Sequence, residues 1–176
     1  MQSRFSPVRT FARRILKKHV APINKPASLA QFPLNLAAIC NSCGIGYKEV
    51  DYFPENIDAL IIPIHKQPIA IVNKSSSALQ WRFSLAHQLC HFLLHHYPAV
   101  LEGTVKPGSA LDIESECAAD AFAVELLVPY PALNTYFNTG QSSAADVARQ
   151  FLVPNSVAKL AIDNYLARFS LSSVRK

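Results

Sequence analysis

Apolar side chains recur every three to four residues in some stretches of the chain and every second residue in others, and the change of period divides it into helices and strands. Residues 7 to 19, PVRTFARRILKKH, turn Phe11 and Ile15 inward, with Val20 just beyond, and basic residues outward. This predicts an amphipathic helix with a solvated cationic face. An irregular APINKP stretch follows, then a second helix over residues 28 to 43 with a break possible at Pro33. The glycines of CGIGY turn the chain into a strand near 45 to 52, and Gly44 reads as the residue just past a helix end. Two short strands, ALIIPI at 59 to 64 and PIAIVN at 68 to 73, form a hairpin, and Pro63 assigns its strand to an edge or a bulge.

The second half is helical. Residues 78 to 96 contain RFSLAHQLCHFLLHH, whose Phe83, Leu85, Leu89, Phe92, Leu93 and Leu94 make a long apolar run. A loop over 97 to 110 leads to a helix at 111 to 128, where Ala118, Ala119, Phe122, Ala123, Leu126 and Leu127 are apolar and Pro129 marks the stop. A short helix near 131 to 137, an NTGQSS turn and two helices broken at Val153 to Asn155 complete the chain. The spacing of Ala148, Phe151, Val153 and Ala158 is similar to a helix-turn-helix core, expected to pack on the rest and dock a partner.

The chemistry sits in the two apolar helices. His87 and His91 are four residues apart, so both imidazoles project from one helix face, about 6 Å apart at their roots, within reach of one Zn²⁺. Glu116 offers a third ligand, with Glu114 a weaker competitor for that place. Asp120 follows one turn later on the same face and is positioned to fix the tautomer of a ligating histidine. Two histidines and one carboxylate leave a fourth position to water, the arrangement of a catalytic metal rather than a closed structural one.

RFSLAHQLCHFLLH and ESECAADAFAVELLVP resemble the two signature stretches of the ImmA/IrrE family of metallo-endopeptidases, and the order of elements over residues 20 to 165 is similar as well. The resemblance implies an α+β, mostly helical zincin-like domain with a small three-stranded sheet and a C-terminal helix-turn-helix-like segment. The expected divisions are a basic arm at 1–25, a peptidase core at 26–140 and helices at 141–176. It also implies a zinc cofactor on His87, His91 and Glu116. The protein partner would be a helix-turn-helix repressor or an antitoxin, cleaved to release genes of a stress response, a phage or other mobile element, or a toxin-antitoxin pair.

The chain departs from the family at one place. The family carries HExxH, whose glutamate deprotonates the water on zinc, and here Gln88 stands in that position. An amide cannot accept the proton, so the resemblance implies bound zinc with impaired turnover, about 10² to 10⁴ in rate. Two origins fit: a deliberate Glu→Gln exchange that traps a substrate complex, and natural loss in a member that binds without cutting. The intact Glu116 and Asp120 favour the first. A non-catalytic zinc module that sequesters its partner is the alternative.

Composition narrows the setting. Half of the 176 residues are hydrophobic and 16% are charged, as in a packed globular protein. With no apolar run of 18 residues and no signal sequence, a cytoplasmic protein without a membrane span is expected. Net charge is +5, and Arg4, Arg9, Arg13, Arg14, Lys17, Lys18 and Lys25 all precede the first acid, Glu49. That arm could steer toward DNA or another acidic partner, but Arg149, Lys159 and Arg168 are too few for a DNA-reading face. Cys40, Cys43 and Cys90 read as small packing residues, with Cys90 and Cys117 next to proposed ligands. The donor for an oxyanion stays open among Tyr97, Tyr130, Tyr136, His95 and His96.

Overall fold

A computed structural model describes residues 5–19, 29–52, 57–64, 67–94, 110–140 and 143–173. It contains α1 (Ser6–His19), a 3₁₀ turn (Leu29–Gln31), α2 (Leu36–Ser42), β1 (Gly46–Val50), β2 (Ala59–Ile64), β3 (Gln67–Asn73), α3 (Ala78–Leu93), α4 (Ala110–Leu127), α5 (Tyr130–Phe137), α6 (Ala144–Phe151) and α7 (Asn155–Ser173). The architecture is α+β and mostly helical, with one mixed three-stranded sheet.

The sheet order is β1-β3-β2, with β1 parallel and β2 antiparallel to the central β3. β2 is therefore an edge strand, which is where Pro63, opposite Pro68, removes no ladder bond from a central position. Ala59 and Ile61 pair with Val72 and Ala70, and all four are buried while their neighbours Leu60, Ile69 and Ile71 are half-buried. The period of two thus puts one face of the β2–β3 hairpin against α3, with Ser84 donating to the Ala59 carbonyl at 3.4 Å.

The helix expected over 28–43 is shorter than its apolar pattern suggests. A 3₁₀ turn ends at Gln31, the Phe32–Pro33 bond is cis, and α2 begins at Leu36 under an Asn35 cap whose side chain accepts from the Ala38 amide. Pro33 lacks the N–H that a continuous helix needs, so the chain restarts instead. At the other end Gly44 has φ +76°, its amide bonds the Asn41 carbonyl, and the Ile45 amide bonds the Cys40 carbonyl at 2.9 Å. Those two bonds make a Schellman closure that aims β1 back along the sheet.

α3 and α4 pack side by side, bringing together Leu85, Ala86, Leu89 and Cys90 with Ala119, Phe122, Ala123 and Leu126, all fully buried. Small residues on both helices permit close approach. α1 lies on α4 and buries Ala12, Ile15 and Leu16; Val20 is outside the described residues. Its cationic face is not wholly solvated, in contrast to expectation. Arg9 is buried, and Arg13 pairs with Glu125 at 2.9 Å, because α4 presents a buried carboxylate in reach of α1. Ala148, Phe151, Val153 and Ala158 are all buried in the α6–α7 unit.

That C-terminal unit is fastened to α3 by Arg82. Its Nε donates to the Leu152 carbonyl at 3.2 Å and its Nη1 to the Leu34 carbonyl at 2.9 Å. Leu152 sits in the left-handed region, φ 52°, at the turn between α6 and α7. Among the described residues no helix is long and apolar enough to cross a membrane.

Candidate metal centre

α3 starts at a Ser77 cap, whose hydroxyl accepts from the Gln80 amide, and runs uninterrupted past His87 and His91. Helical regularity is what aligns the two rings: their centroids are 4.7 Å apart and their Nε2 atoms 2.9 Å apart. From α4, Glu116 presents Oε2 at 3.1 Å from His87 Nε2 and Oε1 at 3.0 Å from His91 Nε2. Asp120, one turn on, meets His87 Nδ1 at 2.9 Å.

His87, His91 and Glu116 therefore form a compact group of potential metal ligands. An ionised Asp120 accepts only, so the His87 contact requires the proton on Nδ1, leaving the Nε2 lone pair to face His91 and Glu116. His91 is buried and Glu116 largely exposed, so the group has a walled side and an open side. Two imidazole nitrogens and a carboxylate converge within 2.9 to 3.1 Å of each other, a contact that either a ring N–H or a cation shared among the lone pairs makes attractive. Ligands at zinc distances of about 2.0–2.2 Å in a tetrahedron are about 3.3–3.5 Å apart, so the observed spacing needs only a few tenths of an ångström of relaxation. The residues fit a metal.

Burial disfavours the charged form of His87, but hydrogen bonding and charge attraction from Asp120 and Glu116 outweigh it and raise the pKa above the ordinary histidine value.

Gln88 lies half-buried on α3 directly after His87. Glu114 is half-buried on α4 and is not one of the converging group. Cys90 is buried with its thiol pushed up to about 12, first by burial and then by Glu116, while Cys117 is exposed. Tyr136 packs edge-on against Phe151 in the core, and Tyr130 stacks on Tyr165. His95, His96, Tyr97 and the loop over 97 to 109 lie outside the described residues, as do His65 and Lys66. Glu125 carries no mark in the motif reading, although a single acid inside AFAVELLVP is the usual signal of a buried ion pair.

A family model described as peptidase M78, IrrE N-terminal-like domain, matches residues 44–163. Among solved structures, a Mycobacterium tuberculosis transcriptional regulator is similar in fold, with a TM-score of 0.60 at 18% identity over 86% of this chain and 44% of that one. The chain thus spans under half the length of that regulator. Curated proteins provide no match.

Proposed function

The chain belongs to the M78 peptidase family, the IrrE N-terminal-like domain, and on that footing we propose that it is a zinc-site protein of metallo-endopeptidase design whose turnover is impaired at Gln88. His87, His91 and Glu116 would hold the ion, and Asp120 would orient His87. Zinc held there would supply Lewis acidity toward a peptide carbonyl and lower the pKa of a water at the open position. The observation that carries the reading is that the Nε2 atoms of His87 and His91 lie 2.9 Å apart and each meets one oxygen of Glu116 within 3.1 Å, backed by a carboxylate on the outer nitrogen of His87.

Position 88 governs what the site does with a bound peptide. A carboxylate there would take a proton from the attacking water; the amide of Gln88 has a carbonyl acceptor too weakly basic to do so. The chain would then hold its substrate without cutting it, or cut about 10² to 10⁴ times more slowly. Among the described residues no strand pairs with the outer edge of β2, which packs on α3, and an extended peptide would add there as a strand.

The substrate class we propose is a partner protein, a helix-turn-helix repressor or antitoxin, in a cytoplasmic stress-response, phage or toxin-antitoxin setting. The regulator that shares this fold fits a gene-control context. Gln88 also favours a second reading, a module that sequesters such a partner by contact alone.

The test joins metal content to turnover. Mass spectrometry of chain purified without chelator should find about one zinc per chain, absent in His87→Ala. Gln88→Glu should then cleave the repressor encoded beside its gene, with chelator stopping it. Zinc present, partner bound and no cleavage by Gln88→Glu would favour sequestration; no zinc would overturn both readings.

A further inference from the structure

The arginines and lysines of α1 divide into two sets when the helix packs on α4. Arg9 is buried and donates to Asn164 Oδ1 at 3.1 Å, and Arg13 pairs with the buried Glu125 at 2.9 Å. Arg14, Lys17 and Lys18 are on the far side of the helix from the buried Ala12, Ile15 and Leu16, and all three are exposed. Lys17 and Lys18 follow Arg14 by three and four residues, so the side chains form one ridge with roots about 5–6 Å apart. Among the described residues no salt bridge joins any of them to a carboxylate, and the first acid in the sequence is Glu49. His19, held below the ordinary histidine value by burial and then by Lys18, adds no full charge at neutral pH.

Cations in a last helical turn offset the partial negative charge there, which is only about half a unit, so about two and a half of the three charges remain for a partner outside the chain. The ridge supplies charge and nothing else. None of the exposed large apolar side chains among the described residues lies on α1, and Val8 and Phe11 pack against the core. A protein partner is held mainly by apolar and aromatic anchors at the centre of its interface, which this face lacks. A membrane would take the apolar side of an amphipathic helix, and here that side is already buried on α4. Single strands are held by stacking on aromatic side chains, and the ridge has none. Duplex DNA asks only for charge: its phosphates are spaced about 3.4 Å along each strand, and three cations within about 6 Å of helix rise reach neighbouring ones.

We propose that the Arg14, Lys17 and Lys18 face of α1 is a docking surface for duplex DNA, which grips phosphates without reading bases. The contact is electrostatic and independent of sequence, and it concentrates the chain along DNA. It is separate from the metal reading, since His87, His91 and Glu116 lie on α3 and α4 and include none of the three cations.

Fluorescence anisotropy of a labelled duplex of about 20 base pairs, titrated with the full chain at about 20 to 200 mM salt, tests the surface. Affinity should fall with salt along a double-logarithmic slope of about −2.7, which is about −0.9 for each of three phosphates contacted. Duplexes of unrelated sequence should bind alike. Arg14→Gln/Lys17→Gln/Lys18→Gln changes only exposed side chains; it should bring the slope near zero and weaken binding at least about tenfold at the low-salt end. Lys48→Gln/Lys74→Gln/Lys159→Gln removes the same net charge from exposed sites elsewhere and should keep the slope. His87→Ala should bind as the parent does. If the ridge variant melts early, Lys17→Gln decides instead, with a slope shallower by about 0.9. No saturable binding at about 20 mM salt, an unchanged slope in the ridge variant, or equal loss in the Lys48/Lys74/Lys159 variant or in His87→Ala would overturn the proposal. So would tighter binding of poly-glutamate than of the duplex at equal charge concentration, which would assign the face to an acidic protein.

Discussion

Asp120 Oδ1 accepts from His87 Nδ1 at 2.9 Å across the α3–α4 contact, and this bond determines which nitrogen of the ring faces His91 and Glu116. Asp120→Ala keeps all three candidate ligands but frees the tautomer and rotation of His87. Metal affinity should fall about 10- to 100-fold, the usual effect of losing a partner behind a ligating histidine. Competition against a fluorescent chelator measures it; unchanged affinity would mean that Asp120 does not orient the ring.

The raised pKa of His87 gives metal-free protein a definite pH response. Protonated His87 is stabilised by Asp120 and Glu116, so this contribution is fully present below the unfolded-state value of about 6.5 and fades as pH rises through the higher folded value. A metal must displace that proton, so its affinity should fall as pH drops through the same folded value. Chemical denaturation and metal titration across pH 5 to 9 should show these opposite slopes; in Asp120→Ala/Glu116→Ala the stability slope should vanish, and the loss of metal affinity should move down to the ordinary histidine range.

Among the described residues Glu125 is the one acid that pairs with the Arg9, Arg13 and Arg168 cluster. Glu125→Ala leaves those cations unpaired against a buried wall and should cost about 3–5 kcal/mol in urea unfolding. A loss below ~1 kcal/mol would show that solvent reaches the cluster freely.

Thiol reactivity should separate the four cysteines by burial. Cys117 is exposed, Cys43 half-buried, and Cys40 and Cys90 buried with thiols pushed up to about 12 mainly by burial. A chromogenic disulfide reagent should label Cys117 first and the two buried thiols only on unfolding. Because the unfolded thiols ionise near 8.5, the stability these two contribute is intact below that pH and is lost progressively toward 12. Rapid labelling of Cys90 in native protein would contradict the α3–α4 packing.

Gly44 closes α2 at φ +76°, and a Cβ built there meets nothing within 4 Å. Gly44→Ala should therefore cost about 1 kcal/mol from backbone conformation alone, with no clash. Gly46→Ala, at a negative φ and an ordinary 3.5 Å from Ile69 Cγ1, should be nearly neutral by the same thermal melt. Equal effects of the two would remove the left-handed turn as the cause.

Much of this protein was legible in its sequence because the deciding interactions are local. The four-residue spacing of His87 and His91 fixes their common face, Gly44 and Pro129 mark helix ends, and the alternation in ALIIPI and PIAIVN gives an edge hairpin with the right side inward. The start of α2 was less legible: an apolar pattern marks a buried face whether or not the backbone is continuous, and the cis Phe32–Pro33 bond interrupts it. What only the tertiary structure decided are the relations across helices. Glu116 rather than Glu114 meets the histidines because α3 and α4 pack in one register. Arg9, which in sequence belongs to a solvated basic face, is buried because α4 and α7 fold over α1 there. Periodicity states which way a side chain points from its own axis, and it is the packing of a second helix that determines what the side chain finds.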